Sequence, residues 1–62
     1  MIRWWVSFGN PRITACVDVD DGGRVIAAPR VLKKFMGKDI RRLMGWMASV
    51  KGGYEMTEME VE

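Results

Sequence analysis

The chain has no histidine, a single cysteine (Cys16) and only two prolines in 62 residues. Without histidine there is no Cys/His zinc site and no mechanism that needs imidazole as base or ligand. One cysteine excludes an intrachain disulfide framework. No apolar run approaches the roughly 20 residues of a membrane span, and Ile2 to Phe8 is too short for a signal-peptide core. The charge surplus is only +2, too slight by itself to name a polyanionic partner. These absences argue against an enzyme and against a cofactor or metal, and they favour a cytoplasmic protein with no membrane contact. What is present is an ordinary globular composition, 48% apolar and 29% charged, sized for one small domain over residues 1–62.

Ile2, Trp4, Val6 and Phe8 alternate with Arg3, Trp5 and Ser7, which predicts a strand with the even positions inward. Gly9-Asn10-Pro11-Arg12 reads as a turn. Ile13, Ala15, Val17 and Val19 then alternate with Thr14, Cys16, Asp18 and Asp20, giving a second strand with odd positions inward. Asp20-Asp21-Gly22-Gly23 is a hairpin signal, and Arg24 to Ala27 forms a short third strand. After Pro29, Val31, Leu32, Phe35 and Met36 make one apolar side of a short helix that Gly37 stops. Asp39 caps a second, longer helix, in which Ile40, Leu43, Met44, Met47 and Val50 recur at helical spacing until Gly52-Gly53. Tyr54 to Glu62 is a last strand with a fault in its pattern. Tyr54 and Met56 share one parity and Met59 and Val61 the other, so either a bulge near Thr57-Glu58 changes the phase or only half the strand is packed.

The class is therefore α+β: a small four-stranded sheet, made of a three-stranded antiparallel meander plus the C-terminal strand, with one short and one longer helix on one face. A right-handed crossover would lay the last strand parallel to the first, in spatial order 3-2-1-4. The expected core comprises Ile2, Trp4, Val6, Phe8, Ile13, Ala15, Val17, Leu43, Met47 and Val50. Cys16 is expected to be a small, semi-buried strand residue, since nothing is arranged to activate its thiol.

Charge is more segregated than the net value implies. Residues 30 to 51 carry seven basic side chains against Asp39 alone, a local +6, whereas residues 52 to 62 carry four glutamates and nothing basic. On the second helix Arg41, Arg42, Gly45 and Ser49 fall opposite the apolar stripe, so small residues beside two guanidinium groups would admit a phosphate. Lys33 and Lys34 extend this basic segment, which gives nucleic acid as one class of partner. No zinc-finger, RNA-recognition or helix-turn-helix signature accompanies it, and the mixing of aromatic and basic residues typical of single-strand binders is not visible along the chain. Trp46 reads as a boundary residue of the core. The acidic triplet of Asp18, Asp20 and Asp21 lacks calcium-loop spacing and belongs to the hairpin.

The other class of partner is a protein. Trp4 and Trp5 must face opposite sides of their strand, so if Trp4 is core, Trp5 stands with Arg3, Thr14 and Cys16 on the sheet face that the helices leave open. A Trp and an Arg there mark a contact for a protein partner or for self-association as a dimer. Sequence alone ranks this non-catalytic interaction module ahead of nucleic-acid binding.

The pieces Phe8-Gly9-Asn10-Pro11-Arg12, Val17-Asp18-Val19-Asp20-Asp21-Gly22, Ala27-Ala28-Pro29, and Gly37-Lys38 ahead of Trp46 and Lys51-Gly52 resemble short proteins of phages and mobile elements with a β-β-β-α-β layout. The shared pieces are turns and caps, so the resemblance carries over no catalytic or binding residue. It implies a context in which a small protein binds a host macromolecule and inhibits it.

Overall fold

The computed structural model describes residues 1–59. Four strands, β1 (Ile2–Phe8), β2 (Ile13–Val19), β3 (Val25–Ala27) and β4 (Tyr54–Met59), form one sheet in the order β3-β2-β1-β4. A 3₁₀ helix (Arg30–Phe35) and an α-helix, α1 (Ile40–Ser49), lie between β3 and β4. The α+β class and the strand order both agree with the alternation of the sequence. Val6, Phe8, Val17, Leu32, Phe35, Leu43 and Met47 meet in one cluster between the sheet and the helical segments. Trp4, Ala15, Ile40, Trp46, Tyr54 and Met56 pack around it.

Three residues expected in the core are not in it, and one of them is Val50, which leaves the helix as the extended C-cap of α1 and is only half-buried. Ile2 is 40% exposed and Ile13 is 39% exposed, although both have the inward parity. Ile2 and Ile13 each sit at the end of a strand. Short β3 pairs only with Asp18 and Val19 of β2, so Ile13 has a strand neighbour on β1 alone. Cys16 is likewise exposed rather than semi-buried, because its parity turns it to the open face.

The hairpin between β2 and β3 is held by Asp20. Its Oδ1 accepts hydrogen bonds from the backbone N–H groups of Gly22 (3.0 Å) and Arg24 (2.8 Å), which satisfies the turn's donors locally. A register shift between Asp18 and Val19 gives β3 a bulge, with Val25 buried and Ile26 turned out.

The first helical segment is 3₁₀, not α, and its apolar side is narrower than the sequence predicts. With three residues per turn, positions i and i+3 eclipse. Leu32 and Phe35 are therefore buried, while Val31 (48% exposed) and Met36 (43%) point away.

The chain then returns along the free edge of β3. Gly37 N–H donates to Val25 C=O (2.8 Å), Val25 N–H to Lys38 C=O (2.8 Å), and Ile40 N–H to Gly23 C=O (2.8 Å). This return brings α1 to start at the hairpin end of the sheet and finish near Gly9. β4 begins there, with Tyr54 opposite Phe8 and Met59 opposite Arg3, antiparallel to β1. The parallel crossover expected from the sequence is thus replaced by an antiparallel one, because residues 37–40 reverse the chain before the long helix instead of after it. Register is continuous from Tyr54 to Met59, so no bulge occurs at Thr57-Glu58. Tyr54 and Met56 are partly buried and the following three residues are exposed, which leaves the half-packed strand as the explanation of the pattern. Glu60, Val61 and Glu62, assigned by the sequence to the same strand, lie outside the described residues.

Two glycines with opposite roles give a direct test of this packing. Gly52 has φ +100°, and a Cβ there would lie 2.7 Å from the Gly9 carbonyl oxygen, where the two connections cross. Gly45, within α1, meets nothing inside 4 Å. Gly52→Ala should destabilise by at least about 1–2 kcal/mol from the left-handed backbone alone, whereas Gly45→Ala should stabilise by about 0.5–1 kcal/mol. Urea unfolding of the two variants checks both signs.

Candidate functional site

Packing of the 3₁₀ helix beside α1 places Trp46 against both Phe8 of β1 and Phe35. The Trp46 ring meets Phe8 edge-on, with centroids 5.4 Å apart and an interplanar angle of 69°, and meets Phe35 at 5.5 Å. These contacts fix the indole from the core side. Over its ring lies the Lys34 ammonium, 4.3 Å from the centroid, which is also 5.3 Å from the centroid of Phe35. Each such contact is worth about 0.5–1 kcal/mol at an exposed site.

In front of this pair is an open cleft of about 430 Å³, lined by Lys34, Phe35, Lys38, Arg41, Arg42, Gly45 and Trp46. Four of its seven lining residues are cationic and none is acidic. Its floor is aromatic. Lys38 is delivered by the return segment on β3, Lys34 by the 3₁₀ helix, and Arg41 and Arg42 by the first turn of α1. Among the described residues, Lys38 and Arg42 form no salt bridge.

Arg41 differs from its neighbours because it is already engaged. Its Nε and Nη2 donate to Asp39 Oδ1 (3.1 Å) and Oδ2 (3.0 Å), and its backbone N–H donates to Oδ1 at 2.9 Å. The carboxylate thus caps α1 and clamps the arginine together. The Arg41 side-chain hydrogen bonds, followed by the backbone bond, hold the Asp39 carboxyl at about 2 instead of the ordinary 3.8. The same partner raises the guanidinium further.

The six site residues expected from sequence divide between two faces. Lys34, Arg41 and Arg42 line the cleft, while Lys33 is exposed on the 3₁₀ helix but does not line it. Trp5 and Arg3 lie on the opposite side of the sheet. Trp5 is 43% exposed, with Cys16 opposite it on β2 and Thr57 opposite it on β4. Arg12, in the turn after β1, donates from Nη1 to the Gly52 carbonyl at 2.8 Å. Arg3 is a structural cation: its Nε and Nη2 reach Asp18 Oδ1 (2.7 Å) and Oδ2 (3.1 Å). That bidentate bond lowers the Asp18 carboxyl and raises the guanidinium.

Sequence reasoning placed Gly45 beside Arg41 and Arg42 but missed Lys38 and Trp46 as members of the same site. Part of the signal for Trp46 was available, since it follows Arg42 by four residues and shares its side of a helix. The contact of Lys34 with Trp46 spans two elements and has no sequence spacing to betray it. Among the described residues, no three of His, Cys, Asp and Glu come together to hold a metal ion. No helix there is long and apolar enough to cross a membrane. No family model matches the chain, and no curated protein or solved structure is similar to it at a significant level.

The Asp39 clamp makes a pH prediction. Because its folded value lies below the unfolded one, its stabilisation is complete above about pH 4 and is lost as pH falls toward about 2. Asn also caps a helix but does not titrate. Asp39→Asn should therefore lose less thermal stability than the wild type between pH 4 and pH 2, as read by circular dichroism melts.

Proposed function

We propose that the chain is a non-catalytic nucleic-acid-binding module that contacts its ligand through the cleft between the 3₁₀ helix and α1. The observation that carries this reading is the convergence of Lys34, Lys38, Arg41 and Arg42 around the Trp46 ring. Cations neutralise phosphates and release counterions, and an aromatic floor suits a base. This geometry moves nucleic acid ahead of the protein partner that sequence alone favours. The exposed Cys16 thiol supports a reducing, cytoplasmic setting.

Three or four phosphate contacts on a single strand imply a slope of roughly −2 to −3 in log affinity against log salt. Affinity should then fall about 15- to 60-fold between 50 and 200 mM salt. Lys38→Glu combined with Arg42→Glu should weaken binding by more than about tenfold, because it replaces two phosphate partners with carboxylates. The melting temperature should change little, since both residues are exposed. Arg41 is left in place because it holds the cap of α1. Anisotropy titrations at several salt concentrations provide the check, and a failure to bind at low salt would remove nucleic acid from consideration.

One observation favours a second reading, a protein-interaction module using the open sheet face: the exposed Trp5, framed by Cys16 and Thr57. The simplest occupant is a second copy of the chain. Covering this face or the cleft would equally suit an inhibitor of a host macromolecule, the role implied by the resemblance to phage proteins. Sedimentation equilibrium should show a dimer that Trp5→Ser dissociates without unfolding, and a monomer at every concentration would exclude self-association.

A further inference from the structure

We infer that the cleft takes single-stranded nucleic acid, with one unstacked base lying on the Trp46 ring in the place of the Lys34 ammonium and the flanking phosphates held by Lys38 and Arg42. This inference rests on the nucleic-acid reading above and names the strand state and the contact that selects it.

Three features of the cleft lead there. The indole is held in place by Phe8 and Phe35, so little side-chain freedom is lost when a ligand stacks on it. Over it lies the tip of an exposed lysine, 4.3 Å from the ring centroid. A base stack is worth more than an exposed cation–π contact, and the flexible Lys34 can swing aside toward a phosphate.

Second, α1 carries a glycine where neither backbone nor packing asks for one. Gly45 is exposed, has no positive φ, and a Cβ added to it would meet nothing within 4 Å. Glycine inside a helix is unfavourable, yet here it leaves the wall beside Trp46 bare, open to a flat ring.

Third, the cleft holds about 430 Å³, within the range of small-ligand sites and suited to one nucleotide-sized group. A duplex keeps its base faces inside the stack. Only a splayed-out base presents a π face to an aromatic side chain.

The test compares three labelled ligands by fluorescence anisotropy: an oligothymidylate, an abasic deoxyribose-phosphate oligomer of the same length, and a duplex. The oligothymidylate should bind about 5- to 150-fold more tightly than the abasic strand, the range for one stacked base, with the same salt slope. It should also outbind the duplex. Trp46→Leu should bring the oligothymidylate down to the abasic affinity while leaving the salt slope intact. Because Trp46 also packs on the core, Gly45→Leu is the companion variant. It retains the indole, replaces glycine by a better helix former, and should reduce the same ratio by crowding the ring. Equal wild-type affinity for the oligothymidylate and the abasic strand, or tighter binding of the duplex, overturns this inference and leaves nucleic-acid binding standing. No binding of any of the three at low salt overturns both.

Discussion

The hydrogen bonds that lay residues 37–40 along the edge of β3 decide most of this structure. They cover backbone groups on an otherwise open sheet edge, the place where unpaired strands invite aggregation. They also turn the chain back to the hairpin end before α1 begins, so the helix runs the length of the sheet and β4 must pair antiparallel with β1. The 3₁₀ helix, caught between β3 and this return, is left beside α1 with Lys34 and Phe35 facing Trp46. Without the return segment there would be no cleft, because Lys38 and Lys34 would not share a rim with the first turn of the helix.

The legible part of the fold was that set by short-range periodicity. Val6 and Phe8 on β1 and Val17 and Val19 on β2 are buried as their alternation requires, and Asp20 makes the turn that its Asp-Gly context announces. The length of α1 followed from Asp39 and the apolar stripe through Leu43 and Met47. Strand order was legible too, since the last strand had one natural neighbour. Its direction was not, because that depended on Gly37 and Lys38 bonding to Val25, residues with no apolar pattern of their own. The 3₁₀ helix escaped for a related reason. Val31-Leu32 and Phe35-Met36 fit an α-helical stripe by composition, and only the tertiary burial of Leu32 with Phe35 selects the tighter winding.

The candidate site was half legible. Arg41, Arg42 and Lys34 stood out as a charge run, but a charge run cannot say which of its members are free. The structure separates them: Arg41 belongs first to the cap of α1, and Arg3 on the far face belongs to Asp18. What remains for a ligand is a smaller set than the count of basic residues implies, gathered on an aromatic surface that joins two elements.

Charge segregation along the chain becomes segregation across the sheet. β3, against which the Lys38 segment lies, and β4, which carries Glu55 and Glu58, are the two opposite edges. Arg12 lies 3.8 Å from Glu55 on that acidic edge, and its guanidinium is already turned to the Gly52 carbonyl. Like charges on β4 discourage strand addition there, while the cationic side keeps its field over the cleft. With exposed charges screened beyond about 8 Å at physiological salt, carboxylates on β4, three strand spacings or about 14 Å from the β3 edge, subtract little from the potential at Lys38. A small net charge and a locally strong anion site are therefore compatible. The two strands that stand between β3 and β4 make them so.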